Sequence, residues 1–139
     1  MLAYPKEREK RQHRRLPALS LTSDVKVKKG LFTKWETTRA LDFNIHGVAL
    51  VWPDEPELGT KLTLKLSLKM DMTEVNTNQL EAKVVNKVML DPSKGEWRVG
   101  FIFTNQSKHT EETSKQLLRI NEYLERNNLI KDKLESGRL

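Results

Sequence analysis

Two short polar stretches hold the residue types that could do chemistry. In "KRQHRR", residues 10–15, Arg11 and Arg15 are spaced R-x-x-x-R with Arg14 beside the second. In "DFNIHGVAL", residues 42–50, Asp42, Asn44 and Gly47 are spaced D-x-N-x-x-G, directly ahead of an apolar run. Guanidinium forks grip phosphate oxygens and guanine edges through paired hydrogen bonds, where an ammonium offers only a point charge. The arginines therefore suit an arm that closes over an anion; the plain alternative is a solvated charged tail. The second stretch is open in the same way. A carboxylate and an amide can form a rim that holds a ligand, but Asp and Asn before a strand also make Asx turns, and glycine can supply a positive φ.

Other chemistries are not assembled. The three histidines, His13, His46 and His109, are scattered and share no metal-ligand spacing such as H-x-x-x-H. There is no G-x-S-x-G elbow, no Walker-type glycine loop and no cysteine for a thiolate site. The sequence thus points to binding rather than catalysis, with no cofactor and no metal expected. Trp35, Trp52 and Trp97 do not recur on one strand face, as a base-stacking platform requires, and read as core or rim packing.

These stretches need elements to position them. A chain of 139 residues, 37% hydrophobic and 32% charged, suits one soluble domain with a real core. No apolar stretch approaches the roughly 20 residues of a membrane span, and the charged N-terminus lacks a signal-peptide core, so a cytoplasmic protein is the simplest expectation. The net charge of +6 is unevenly placed: residues 6–15 hold six Lys or Arg against two Glu and no core-forming side chain. Such a run repels itself and buries nothing, which predicts a flexible basic arm over residues 1–15.

From Leu16 the hydrophobic period becomes two. Leu21, Val25 and Val27 alternate with polar residues, and "LFTKWETTRALDF" gives the weakest strand signal, resting on Thr and aromatic content. "GVALVW" follows the D-x-N-x-x-G stretch. "KLTLKLSLKM" is the clearest half-buried strand, with Leu62, Leu64, Leu66 and Leu68 on one face. "LEAKVVNKVML" predicts Ala82, Val84, Val88 and Leu90 on one side; "DPSKGE" predicts a hairpin turn; "WRVGFIF" puts Trp97, Val99, Phe101 and Phe103 on one face. Past Asn105, Thr110 is placed to cap a helix with Leu117, Ile120 and Leu124 at helical spacing. Short, evenly spaced strands followed by one helix predict a small antiparallel barrel over 16–106, a C-terminal helix over 107–130 and a polar tail over 131–139.

The paired motifs, in this order and about one hairpin apart, resemble the PilZ domain family, bacterial receptors for cyclic di-GMP whose pattern is R-x-x-x-R in an N-terminal arm and (D/N)-x-S-x-x-G on the barrel. The late "WRVGFIF" and the C-terminal helix are also similar, so the likeness extends over roughly residues 8–126. It implies a six-stranded antiparallel PilZ-type β-barrel and a non-catalytic cyclic di-GMP sensor. It assigns Arg11 and Arg15 to guanine edges and phosphate, Arg14 to a further phosphate or stacking contact, Asp42 to guanine N–H donors, and Gly47 to close approach of the ligand. Asn44 departs from the pattern's serine; an amide can replace the hydroxyl's hydrogen bond but is longer. With no output domain in the chain, the expected signal is ligand-induced ordering of the arm and contact with an unidentified effector protein, without membrane insertion or specific nucleic-acid binding. Two rivals stand beside it: a PilZ-like adaptor that has lost the nucleotide, and a small barrel that binds RNA or DNA through its basic arm.

Overall fold

The computed structural model describes residues 16–18, 20–29 and 31–135. Arg11, Arg14 and Arg15, the rest of the arm and the last residues of the tail lie outside the described residues. The elements run β1 (Leu16–Pro17), β2 (Leu21–Lys29), β3 (Phe32–Asn44), β4 (Gly47–Trp52), β5 (Lys61–Lys69), β6 (Glu74–Asn76), β7 (Leu80–Asp91), β8 (Glu96–Phe103), a 3-10 turn (Gln106–Lys108) and α1 (Glu111–Glu135).

All pairings are antiparallel. The order β3-β2-β5-β7-β8-β4 closes on itself through β3–β4, giving a six-stranded barrel with β1 and β6 outside the ring. β1 adds to the edge of β3 and β6 to that of β5. Closure gives every ring strand a partner on each side, although the first half of β3 lacks a partner on the β4 side and β7 beyond Lys83 lacks one on the β5 side. Closure is how small all-β domains limit edge-to-edge association. Alternation fills the interior: Leu64, Leu66, Leu68, Leu21, Val25, Leu50, Val99, Phe101 and Phe103 are buried together. The weakest strand in the sequence is the longest in the fold. β3 carries Thr and charged residues on both faces over its first half, and its cross-strand pairing with β2 runs from Phe32 to Arg39.

The run 80–91 departs from simple alternation. Ala82 and Val84 are buried as expected, but the register slips between Val84, opposite Phe101, and Asn86, opposite Gly100. Val85 is the extra residue of a β-bulge, and a one-residue insertion exchanges the faces of the residues beyond it; a second register shift, between Met89 and Asp91, leaves Leu90 as an extra residue too. Val88 pairs with outward-facing Arg98 and is 56% exposed, and Leu90 is exposed too, so the expectation that both face the core is corrected. The hairpin beyond is tied off at Asp91, whose carboxylate accepts the Ser93 hydroxyl and backbone N–H, and Gly95 takes the positive φ of 66° that the turn requires.

Thr110 caps α1, its hydroxyl accepting the Thr113 N–H at 3.1 Å, with Glu111 and Glu112 in the first turn. Leu117, Ile120 and Leu124 are buried on one stripe, each contributing about 1.5–3 kcal/mol. The helix lies against β1 and β6, so the two strands outside the ring form its seat. It continues past Ile130 to Glu135, because "ERNNLIKDKLE" contains neither Gly nor Pro and the first helix breaker is Gly137.

Candidate functional site

Asp42, Asn44 and Gly47 stand where β3 turns into β4. Along β3, Thr38 and Ala40 share the inward parity, Ala40 being buried. Unbroken alternation would send Asp42 inward as well. The register instead slips between Ala40, opposite Leu50, and Asp42, opposite Ala49, with Leu41 as the extra residue. That bulge turns Asp42 and Asn44 to the outer face while Phe43 fills the core at 0% exposure. The Leu41 carbonyl, left over by the bulge, accepts the Ala18 N–H at 3.2 Å.

The floor beside them is built from small residues. Gly47 pairs with Asn44 and Ile102, and Ala49 pairs with Asp42 and Gly100, so Gly47, Ala49 and Gly100 adjoin on the outer face. A Cβ at Gly47 would be driven into the Phe101 carbonyl oxygen, so glycine is required there by the approach of β8. Gly47 is absent from the positive-φ residues; among the described glycines that geometry belongs to Gly59 and Gly95. At Gly100 a Cβ would meet the Asn86 side chain, which lies across the strand just past the second bulge. The result is a groove of about 130 Å³ with Asp42 and Asn44 on one side, Val85 and Ile102 on the other, and Gly47 and Gly100 beneath. A bulge therefore stands on each side of the groove.

Two polar groups hold this rim. Asn44 Oδ1 accepts the His46 N–H at 2.7 Å, closing an Asx turn. His46 Nδ1 lies 2.8 Å from Gln106 Oε1, which docks the turn on the segment after β8. Asp42 is paired with Arg98 of β8. Since β4 lies between β3 and β8, this ion pair spans β4 on its outer face, where Ala49 and Val51 are buried despite their outward parity. Arg98 was not among the residues that the sequence singled out. Its only signal is its place between inward-facing Trp97 and Val99 in "WRVGFIF", and its partner is legible only once the β4–β8 register is known.

The two motifs meet through β1. Leu16 and Pro17 pair with Phe43 and Asp42, so the residue following Arg15 is hydrogen-bond partner to the strand that carries the second motif. Asp42, Asn44 and Gly47 are thus brought together around one groove at the point where the arm joins the barrel; Arg11, Arg14 and Arg15 themselves lie outside the described residues. No cluster of three or more His, Asp or Glu that could hold a metal occurs among the described residues. In them, too, no helix is long and apolar enough to cross a membrane.

Comparison with known proteins agrees with this geometry. The profile of the PilZ domain matches residues 9–119. Among solved structures, the Bacillus subtilis inhibitor of motility (MotI/DgrA) superposes with a TM-score of 0.63 at 21% identity, over 88% of this chain and 53% of the other. YcgR from Escherichia coli, solved in complex with c-di-GMP, gives 0.64 at 19% identity, over 90% and 50%. The PilZ domain of YcgR with c-di-GMP gives 0.56 at 18% identity, over 94% and 99%. The chain spans about half the length of the first two and nearly all of the third, and at these identities the likeness is one of fold. No curated protein sequence matches the chain.

Proposed function

The chain belongs to the PilZ domain family, and from that premise we propose that it is a receptor for cyclic di-GMP, binding the nucleotide between the outer groove at Asp42 and the arginines of its N-terminal arm. The observation that carries this reading is the convergence at β1: the arm enters the fold hydrogen-bonded to the strand that presents Asp42 and Asn44. Relatives of the same fold are solved with c-di-GMP.

The groove of about 130 Å³ is well below the ~300–1,000 Å³ of a site that encloses a whole ligand. It is one wall. A dinucleotide seated there needs a second wall, and the arginines of residues 11–15 have the chemistry for it, two-pronged donors for guanine O6 and N7 and for phosphate. In this reading Asp42 accepts the guanine N1 and N2 donors. Its carboxylate has about four lone-pair sites, so the Arg98 bond leaves acceptor capacity while fixing the orientation of the group. Asn44 spends its oxygen on the Asx turn and offers its amide N–H2 to the ligand. The protein binds and does not catalyse; ordering of the arm over the ligand changes the surface shown to a partner protein.

Calorimetric titration of cyclic di-GMP, with GTP as control, tests the proposal on the wild type and on Arg15→Ala. Saturable binding that Arg15→Ala weakens is expected; absence of binding, or binding indifferent to that substitution, overturns it. A specific observation supports a second reading, an adaptor that works through protein contacts alone. Asn44 and Gly47 each have an intramolecular purpose, the Asx turn and the approach of Phe101, that needs no ligand.

A further inference from the structure

A second region, away from the Asp42 groove, sets a basic outer groove next to a hairpin tip with exposed apolar side chains. Lys26 and Lys28 of β2, Lys61 of β5 and Lys83 of β7 line an open outer groove of about 710 Å³. Glu81 is the one acid in that lining, and its carboxylate is taken by the Asn105 side-chain amide. The groove ends at the Lys28–Thr33 pair, next to the tip of the β2–β3 hairpin, where Leu31 is 99% and Phe32 77% exposed. Phe32 pairs with Lys29 and so has the parity opposite to Lys28, making it part of the tip rather than of the groove. Trp35 lies on the same face, with the Lys65 ammonium 4.2 Å and the Lys26 ammonium 5.9 Å from its ring centroid.

We infer that this surface docks on an anionic lipid bilayer, with Leu31 and Phe32 entering the headgroup boundary and the lysines meeting lipid phosphates. Charge complementarity chooses an anionic occupant. The apolar end then separates the classes: a nucleic acid would engage the lysines and leave Leu31 and Phe32 in water, whereas an interfacial site uses apolar and cationic groups together. Residue type separates the remaining pair. Protein interfaces favour arginine and deplete lysine, while a diffuse sheet of headgroup charge asks for flexible point charges, and the groove holds four lysines and no arginine. The attachment lies on the membrane and does not span it. It makes no use of the Asp42 groove and is independent of nucleotide binding.

Cosedimentation of the full chain with vesicles of phosphatidylglycerol and phosphatidylethanolamine, against vesicles of phosphatidylcholine, tests this. Because the arm is itself basic, the deciding variant is the double substitution Leu31→Ser with Phe32→Ser, both side chains being exposed. Binding to the anionic vesicles alone is expected, reduced about tenfold or more by the double substitution and also by Lys28→Glu with Lys61→Glu, at unchanged melting temperature. Wild type that stays in the supernatant, or a serine variant that sediments like wild type, overturns the inference. So does a single-stranded RNA that binds wild type more tightly than the vesicles do and is lost in the glutamate variant but kept in the serine variant.

Discussion

The barrel carries two outer grooves, and they are built on opposite principles. The one at Asp42 is small, floored by Gly47, Ala49 and Gly100, and its polar side chains are already engaged, Asp42 with Arg98 and Asn44 with the His46 N–H. The one between β2, β5 and β7 is several times larger, and none of Lys26, Lys28, Lys61 and Lys83 forms an ion pair among the described residues. Groups fixed before a ligand arrives lose little freedom on binding and discriminate by geometry. Unpaired lysines on long stems discriminate by charge and adapt to a surface. The same sheet thus offers one site suited to recognising a particular molecule and another suited to a class of surfaces.

The comparison breaks most readily at the floor of the small groove. Gly47→Ala forces β4 away from the Phe101 carbonyl, and a loss of about 1–3 kcal/mol of stability is expected, read as a lower melting temperature together with weaker nucleotide binding. The proposed ligand contacts come next. Arg11→Ala, Arg15→Ala and Asp42→Ala should each weaken cyclic di-GMP binding by about 1.5 kcal/mol or more in calorimetry, the scale of a charge-assisted hydrogen bond, with the two arginine variants melting like wild type.

Arg98→Ala sharpens the picture by removing the brace and leaving the acid. The pair is partly exposed, so about 1 kcal/mol or less of stability should be lost. If Arg98 orients Asp42, a double-mutant cycle on affinity will show the two substitutions to be non-additive. Asn44→Ser retains a side-chain oxygen for the turn, so stability should stay within about 0.5 kcal/mol while affinity changes; a stability loss without a change in affinity would make the residue a turn former only. The smallest effect belongs to the other groove. Lys61→Ala and Lys83→Ala should leave cyclic di-GMP affinity unaltered, and a loss there would mean that the two grooves are not separate.

Much of this architecture was legible because most strands obey period two without interruption. Leu64, Leu66 and Leu68 are buried as their alternation requires, and Val99, Phe101 and Phe103 likewise. What escaped lies where the period is broken. The bulges at Leu41 and Val85 and the register shift at Leu90 reverse side-chain parity with no change of composition, so Val88 and Leu90 read as core residues and Asp42 would read as an inward one. β1 and β6, of two and three residues, are too short to show a period at all. Arg98 needed a strand register, which is a property of pairs of segments and not of one. Asp42, Asn44 and Gly47 were found by their spacing, and the structure adds their neighbours.

β1 also sets a mechanical limit. Leu16 and Pro17 act as a pivot fixed to the rim at Asp42, and a chain can extend at most about 3.3–3.6 Å per residue from such a point. One residue of chain separates Arg15 from the pivot and five separate Arg11, for which full extension allows a reach of about 17 Å. On the proposed reading, tethering of this kind would make capture by the arm an intramolecular event, governed by an effective concentration that the linker length sets. A glycine inserted between Arg15 and Leu16 would lengthen the tether by one residue without touching a single contact of the barrel, and nucleotide affinity would then measure how closely the distance from pivot to guanidinium is matched to the width of the ligand.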